Sequence, residues 1–193
     1  MRRPEPVVLA GRFVRLEPLE EHHRDDLLAA AAQDADTFRY LFTDLSRGAS
    51  EWPAYLADAL KPEYVSWATV DAATGRAMGS TRFLDIAPEH GRLEIGWTWI
   101  APSHQRGAMN TEAKLLQLHY AFEDLGATRV ALKTDERNER SQRAIERIGA
   151  VREGVLRHQF RMPDGFMRNS VYFSILAEEW AAVKAQLEER LAR

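Results

Sequence analysis

The residues from Gln105 to Thr111 (QRGAMNT) have types and spacing that suit the binding of a phosphate group. They lie between a strand-like and a helix-like stretch, so their amides would point out of a first helical turn, where the dipole favours an anion. Gly107 and Ala108 leave the backbone approachable, and Arg106 adds a fixed positive charge. A diphosphate would accept several charge-assisted hydrogen bonds there. The same pattern is also typical of an ordinary strand-to-helix connection.

Titratable side chains around this loop could move a proton. Glu94 lies on the strand before the loop, where it could orient a water molecule or act as a structural hydrogen-bonding partner. A histidine titrates near neutral pH, so His158 could remove a proton, although hairpin histidines are commonly structural. His104 precedes the loop and is expected to lie too far from the reacting centre. Glu112 opens the helix, where the dipole favours a carboxylate, so we interpret it as structural.

The loop is positioned by a predicted strand and a predicted helix. Residues 92–100 alternate as in a strand, which ends before Pro102. One predicted face carries Leu93, Ile95, Trp97 and Trp99, and the other carries Glu94, Gly96 and Thr98. From Asn110 the apolar residues take helical spacing up to Gly126, and Asn110 or Thr111 is expected to cap the helix start.

The rest of the chain alternates strands with helices. Further strands are predicted at residues 12–16, 63–70, 76–86, 128–134, 151–162 and 166–176. Further helices are predicted at residues 20–32, 138–148 and 178–191, with a broken helical region at 36–61. Pro163-Asp164-Gly165 is a strong hairpin turn signal. The predicted fold class is α/β (α+β), a mixed sheet with helices on both faces in one domain.

An aromatic cluster falls within the broken helical region. Its members are Phe38, Tyr40, Phe42, Trp52 and Tyr55. Such a cluster is more often core than binding wall. If it lines a cleft, it is the part of the chain that we expect to form an acceptor pocket.

The composition is ordinary for a globular protein, with 45% hydrophobic and 28% charged residues in 193. The net charge of −3 argues against a nucleic-acid-binding surface. No apolar run has the length of a membrane span, and the N-terminal stretch lacks the apolar core of a signal peptide. The absence of cysteine excludes disulfides and thiolate chemistry, and His22 and His23 lack metal-ligand spacing. We therefore expect a cytoplasmic protein with no metal, membrane or nucleic-acid partner.

Four stretches, in this order, resemble the GNAT superfamily of acyl-CoA-dependent N-acyltransferases. They are LEIGWTWI, QRGAMNTEA, DERNERSQRAIERIGA, and EGVLRH followed by the PDG hairpin. Within the superfamily the chain looks like the branch of ribosomal-protein N-terminal acetyltransferases (RimJ/RimL-like). The resemblance implies a single acyl-CoA N-acyltransferase domain over residues 1–193. It also implies a mostly antiparallel twisted sheet of about seven strands, with a splay between the central strands at 93–100 and 128–134.

The resemblance implies that acetyl-CoA is the cosubstrate and that its pantetheine arm lies in that splay. The implied contacts are Trp99, Ile100, Ala101, Gln105, Arg106, Gly107, Ala108, Met109, Asn110, Thr111, Asn138 and Ser141. The superfamily loop has Gln or Arg, two residues, Gly, one residue, then Gly or Ala. Gln105 matches, but Ala108 replaces the central glycine and Asn110 the last small residue. Because alanine avoids positive φ, the loop conformation is left open.

The implied reaction is the direct attack of a primary amine on the acetyl group. The tyrosine that many members use as the acid corresponds here to Ile145, and the resemblance implies Ser141 as the acid instead. Asn138 would hold the cosubstrate arm, although Asn138 and Ser141 are also good helix-capping residues. The carboxylate proposed as the base in this branch aligns near Phe160 and is absent. The candidate catalytic residues are Ser141, Glu94 and His158.

The acceptor is predicted from the energy of deprotonation. Removing a proton at pH 7 requires about 1.4 kcal/mol for an α-amine with a pKa near 8, and about 4.6 kcal/mol for a lysine. A site with no strong base therefore suits a protein N-terminal α-amine or a weakly basic small-molecule amine. Alternatives are a non-catalytic acyl-CoA-binding or regulatory module and an antibiotic-amine acetyltransferase. A nucleotide-phosphate binder of another fold is the least favoured, and a homodimer is compatible with this branch.

Overall fold

The structure is a computed structural model that describes residues 1–192. In this part of the chain eight strands form one sheet in the order β1-β2-β3-β4-β5-β6-β8-β7. The strands are β1 (Leu9–Ala10), β2 (Val14–Pro18), β3 (Val65–Asp71), β4 (Ala77–Ala87), β5 (Arg92–Ile100), β6 (Arg129–Asp135), β7 (Val151–Arg161) and β8 (Met167–Leu176). Neighbouring strands are antiparallel except β5 and β6, which are parallel. The predicted mixed, mostly antiparallel sheet is confirmed, and the two-residue β1 adds one strand.

Five α-helices accompany this sheet within the described residues. They are α1 (Arg24–Ala31), α2 (Trp52–Ala59), α3 (Ala108–His119), α4 (Glu139–Arg147) and α5 (Trp180–Ala192). The Tyr55 hydroxyl of α2 bonds Ser80 of β4, whereas the next β4 residue, Thr81, accepts from Lys114 of α3. Since consecutive strand residues point to opposite faces, α2 and α3 cover opposite faces of the sheet. No described helix is long and apolar enough to cross a membrane.

A bulge in β5 changes which side chains share a face. Trp97 has φ 52°, and the register between β4 and β5 shifts there, so Arg82 pairs with Gly96 but Ser80 pairs with Trp99. Trp99 therefore lies on the same face as Gly96. Trp97 stacks on the Arg82 guanidinium from that face, and Thr98 points to the opposite one. The prediction that Trp97 and Trp99 share the face of Leu93 and Ile95 is wrong, because a strict period of two does not survive an extra residue.

The sheet opens between its two parallel strands. β5 and β6 pair only from Arg92 with Arg129 to Ile95 with Leu132. Beyond that point β6 stays paired with β8 as far as Asp135, while the second half of β5 departs. The predicted splay is therefore present, and it opens towards the loop between β5 and α3.

The broken helical region at 36–61 is the part of the chain that keeps little regular structure. It contains short 3-10 turns and then α2, and it crosses the mouth of the splay. The aromatic cluster divides there. Phe38, Trp52 and Tyr55 are buried in the core, whereas Tyr40 and Phe42 are half-buried and face the opening.

Candidate functional site

A cavity of about 790 Å³ occupies the splay. It is within the size range of small-molecule sites. Its walls come from β5 and β6, from the starts of α3 and α4, and from the segment before β3. One end lies at the loop before α3, and the other lies under the half-buried aromatic residues. The two ends differ in the chemical groups that they present.

The loop before α3 presents main-chain donors to the first end. Gly107 is the N-cap of α3, in extended backbone, and no side chain caps the helix. The first-turn amides have no partner within the helix and are free for an anion. The expectation that Asn110 or Thr111 caps the helix is wrong, because the helix begins earlier, at Ala108. In the loop before the helix, the residue with a positive φ is Arg106, at 63°. Ala108 therefore does not need a left-handed conformation.

Positive side chains surround this helix start. Arg140 Nη1 donates to Gln105 Oε1 (3.2 Å), and Gln105 Nε2 donates to the carbonyl of Ile100 (2.8 Å). Gln105 therefore ties the loop to the end of β5. The arginines that line this end of the cavity are Arg106, Arg140, Arg143 and Arg147. An anion bound there would meet both main-chain donors and fixed cations.

The predicted cosubstrate contacts differ in how far they reach the cavity. Those that line it are Trp99, Ile100, Gln105, Arg106, Gly107, Asn110, Asn138 and Ser141. Ala101 is fully buried and donates its amide to Met78, so it does not face the opening. The Met109 side chain is in the core. Ala108, Met109 and Thr111 do not line the cavity and can contribute only through the amides of the first turn.

Asn138 and Ser141 begin α4 beside the gap. Asn138 is the N-cap, and its Oδ1 accepts from the Ser141 amide (3.0 Å). The capping interpretation is thus realised in the structure. Both residues also line the cavity, as does the buried side chain of Ile145. The Ser141 hydroxyl is therefore available on the cavity wall while its amide is used in the cap.

Glu94 reaches the far end of the cavity from β5. It is 2% exposed, and its Oε2 accepts from Lys133 Nζ (2.9 Å) on β6. Burial raises the pKa of Glu94, and the Lys133 ammonium opposes this shift. The raised pKa makes Glu94 a stronger proton acceptor than an exposed carboxylate. Glu94 and Lys133 meet where the two strands begin to part.

Arg168 and Lys114 are among the cationic residues of the cavity wall that the sequence does not predict. Arg168 of β8 is buried, and burial lowers its pKa. Lys114 of α3 is also buried, which lowers its pKa to about 7, and its Nζ donates to Thr98 (2.9 Å) and Gln117 (2.9 Å). The alternation along residues 166–176 places Arg168 in a strand of the sheet, and the helical period of residues 110–125 places Lys114 on a helix beside it. Neither pattern shows that the sheet is open beside them.

Other candidates lie outside the cavity. His158 is exposed at a bulge in β7, where its amide donates to Asn169 Oδ1 (2.9 Å), so the structure does not bring it to the site. His104 turns away to Asp71 (3.1 Å). The Glu112 carboxylate is buried and accepts from the amides of Arg12, Phe13 and Val14, which agrees with a structural role.

One group of possible metal ligands among the described residues comes from β2 and from the short helical turn that follows it. Glu17, His22 and His23 place ligand atoms within 4.8 Å of one another. Both ring nitrogens of His23 are already engaged, with the Glu20 amide (3.2 Å) and with Glu17 (3.4 Å). Because the bond from the Glu20 amide caps the helical turn and the other ring nitrogen is held by Glu17, we assign the group a structural role.

The splayed mixed sheet, with an uncapped helix start and several arginines at its opening, forms a cavity that suits a long ligand with phosphate groups. Residues 14–151 match the family described as "Acetyltransferase (GNAT) domain". The chain belongs to this family, and the resemblance found in the sequence is confirmed.

Solved and curated relatives agree with this assignment. The GCN5-related N-acetyltransferase from Brucella melitensis has a TM-score of 0.93 and 33% identity, covering 98% of this chain and 87% of that one. From Bacillus subtilis (strain 168), the "Putative ribosomal N-acetyltransferase YdaF" is 37% identical over 48% of this chain and 50% of its own length. The "Uncharacterized N-acetyltransferase YoaA" of the same strain is 30% identical over 58% and 62%. The chain thus spans about half to three fifths of these curated relatives. The name of YdaF is consistent with the RimJ/RimL-like branch.

Proposed function

We propose that residues 1–193 form one catalytic domain that transfers an acetyl group from acetyl-CoA to a primary amine. The observation that carries this proposal is the continuous cavity in the splay. It joins a helix start with free amides and surrounding arginines to an ion pair between the buried Glu94 and the half-buried Lys133. A phosphorylated donor at one end and a neutral amine at the other would meet between β5 and β6.

The residues at the first end suit coenzyme A. Its diphosphate needs several donors at close range, and the uncapped start of α3 supplies them next to Gly107. Its further phosphate needs fixed cations, which Arg140, Arg143 and Arg147 supply along one side of α4. Its amide-bearing arm needs an open strand edge, and β5 leaves β6 beyond Ile95. When bound, acetyl-CoA supplies a thioester whose carbonyl carbon accepts the amine nitrogen.

The chemistry requires two proton movements from this chain. The amine must attack without its proton, and Glu94, which lines the cavity, is our proposed acceptor of that proton, directly or through a water molecule. As the new bond forms between nitrogen and carbon, the bond to sulfur breaks, and the sulfur must be protonated. Ser141 is the hydroxyl that α4 presents to the cavity, so it is our proposed acid.

The proposed acceptor is a protein N-terminal α-amine or a small-molecule amine. Glu94 is held by Lys133, so the site has one moderate base rather than a strong one. An α-amine near pKa 8 requires about 3 kcal/mol less than lysine to lose its proton at pH 7. The name of YdaF, which refers to a ribosomal acceptor, supports an N-terminal amine as the first substrate to test.

The test is a titration with acetyl-CoA followed by turnover. Isothermal titration should show one site per chain, and thiol release should then follow the addition of amines. The amine panel should contain N-terminal peptides, amino acids, polyamines and aminoglycosides. The absence of any affinity for acetyl-CoA would refute the proposal. Binding without turnover on the whole panel would favour a non-catalytic acyl-CoA-binding module, for which Ile145 in place of the tyrosine is the motivating observation.

A further inference from the structure

The guanidinium of Arg168 is a buried cation whose charge no carboxylate balances by contact. It is 6% exposed, and its Nε donates to Ser170 Oγ (3.0 Å). Among residues 1–192 no acidic side chain forms an ion pair with it. The two carboxylates that act on it electrostatically are already paired, Asp135 with Arg137 (2.7 Å) and Glu94 with Lys133 (2.9 Å).

Arg168 lies at the acceptor end of the cavity. It lines the cavity, and its guanidinium is 5.8 Å from the centre of the Phe160 ring. Lys133 is 5.3 Å from the same ring centre. The centre of the Phe42 ring is 5.5 Å from the centre of the Phe160 ring and 5.7 Å from the centre of the Trp97 ring. The Phe160 ring thus lies beside both cations, and the rings of Phe42 and Trp97 continue this aromatic wall of the cavity.

The charged side chains that line this end of the cavity sum to a net positive charge. Lys133 and Arg168 contribute two positive charges and Glu94 one negative charge. A cation removed from water without a partner is destabilised, and an anion that enters the cavity would relieve this. The planar guanidinium can bind a carboxylate through two parallel hydrogen bonds, and its two terminal nitrogens are left for that purpose.

We infer that Arg168 binds an anionic group on the acceptor, so that the acceptor is a small amine that also carries a carboxylate. This inference rests on the proposed function and makes it more specific. Glu94 would face the amino group of such a molecule, Arg168 its carboxylate, and the three rings its apolar part. A polycation or a bare alkylamine has no group for Arg168, and its charge would be repelled at this end.

The experiment compares matched acceptors on the full-length protein with acetyl-CoA. Phenylalanine, phenylalanine amide and phenethylamine share one apolar group and differ in the carboxylate, and the phosphonate analogue of phenylalanine tests another anion. We expect the carboxylate form to have a kcat/KM at least tenfold above the amide. Amidation lowers the pKa of the amine, so simple reactivity would favour the amide instead. A kcat/KM for the amide or for phenethylamine that equals or exceeds the value for phenylalanine would overturn the inference. A higher kcat/KM for the phosphonate than for phenylalanine would identify a phosphate-like acceptor and overturn the carboxylate assignment.

Variants of Arg168 separate recognition from folding. Arg168→Met should raise the KM for phenylalanine about tenfold or more, should remove most of the preference for phenylalanine over its amide, and should leave the Kd for acetyl-CoA unchanged. Arg168→Lys should recover part of the difference. Thermal unfolding confirms that each variant is folded. If no amine is turned over, binding of phenylalanine and its amide to the CoA-loaded protein gives the same comparison. A wild-type protein that does not bind acetyl-CoA would refute the proposed function. An Arg168→Met variant that still prefers phenylalanine over its amide to the wild-type extent would refute only this inference.

Discussion

At the scale of single residues, the site depends on a carboxylate that is buried and still faces a cavity. Glu94 has a raised pKa because it is buried, and Lys133 keeps it oriented. Glu94→Gln keeps the size and a hydrogen-bonding oxygen but removes the proton acceptor. We expect kcat to fall about a hundredfold. The matched control is Glu123→Gln, which removes an exposed carboxylate paired with Lys184 and should leave turnover unchanged.

The titration of Glu94 should be visible in the pH dependence of the rate. A hydrazide acceptor has a nitrogen that is already neutral above about pH 5, so the proton left for Glu94 is the one that this nitrogen loses as the new bond to carbon forms. The loss of rate at low pH then reports a group on the enzyme. Because the pKa of Glu94 is raised, the midpoint of this acidic limb of the pH–rate profile should lie above pH 4.5. The acidic limb should be absent in Glu94→Gln. A limb that survives in the variant would show that another group is the base.

Ser141 can be tested by removing its hydroxyl. Its amide, not its side chain, is used in the helix cap, so Ser141→Ala should leave α4 and the affinity for acetyl-CoA intact. If the hydroxyl protonates the leaving sulfur, kcat should fall at least tenfold. Ser50→Ala, at an exposed position outside the cavity, is the control. Unchanged turnover in Ser141→Ala would indicate that ordered water supplies the proton.

At the scale of elements, the start of α3 can be tested without disturbing the fold. Gly107 has extended backbone, and a Cβ added to it would meet only the His104 carbonyl at 3.8 Å. Gly107→Ala should therefore leave the melting temperature unchanged. The methyl group would keep a diphosphate away from the amides and should raise the Kd for acetyl-CoA about tenfold.

Gly154→Ala provides the matched control for this variant. Gly154 lies in β7, and nothing lies within 4 Å of its added Cβ. It should change neither stability nor affinity. Similar affinities in Gly107→Ala and Gly154→Ala would mean that the diphosphate does not approach the loop at Gly107.

Lys114 links α3 to β4 and β5 through a buried ammonium. Its pKa is lowered from 10.5 to about 7 by burial, so between these pH values the unfolded chain binds a proton that the folded chain has lost. Stability should therefore rise with pH from about 7 towards 10.5. Lys114→Met should remove this rise and stabilise the protein at pH 6 by up to a few kcal/mol. Chemical denaturation at a series of pH values measures both effects.

The exposed Lys184 gives the control for that series. Its pKa is raised by its hydrogen bond to Glu123, so it stays protonated in both states below pH 10. Lys184→Met should keep the rise in stability that the wild-type protein shows. A wild-type protein with no rise above pH 7 would show that the Lys114 ammonium is stabilised by Thr98 and Gln117 despite its burial.

The elements were largely predictable because their signals are local. Periodicity located the strands, and Pro163 to Gly165 marked the hairpin between β7 and β8. The exceptions have physical causes. The bulge at Trp97 depends on pairing with β4, which no local pattern records. Residues 36–61 have helical composition, but packing across the mouth of the splay leaves only turns and α2.

The candidate site could be proposed from the sequence where it uses the backbone, but not where it uses side chains that are distant in the sequence. The loop at Arg106 and Gly107 is contiguous, so its types and spacing indicate phosphate binding. Lys133 and Arg168 come from two strands that are neighbours only in the folded sheet. Whether such cations face a cavity depends on the departure of β5 from β6, which the sequence indicated only through a resemblance.

At the scale of the whole molecule, the net charge of −3 conceals an uneven distribution of charge. The arginines Arg140, Arg143 and Arg147 recur along α4 and line one end of the cavity. Attraction between these exposed cations and the phosphates of acetyl-CoA is screened by salt. We expect the Kd for acetyl-CoA to rise several-fold between low and high NaCl concentration. The triple variant to glutamine should bind more weakly at low salt and show a flatter dependence.

A second triple variant decides whether position or net charge is responsible. Replacing Arg24, Arg76 and Arg190 with glutamine changes the net charge by the same amount at residues that do not line the cavity. Screening acts over about 10 Å at 0.1 M salt, so distant charges should contribute little. We expect this variant to keep the wild-type salt dependence. Equal weakening in both triple variants would mean that the overall field of the protein, and not the arginines of α4, attracts the phosphates to the opening of the sheet.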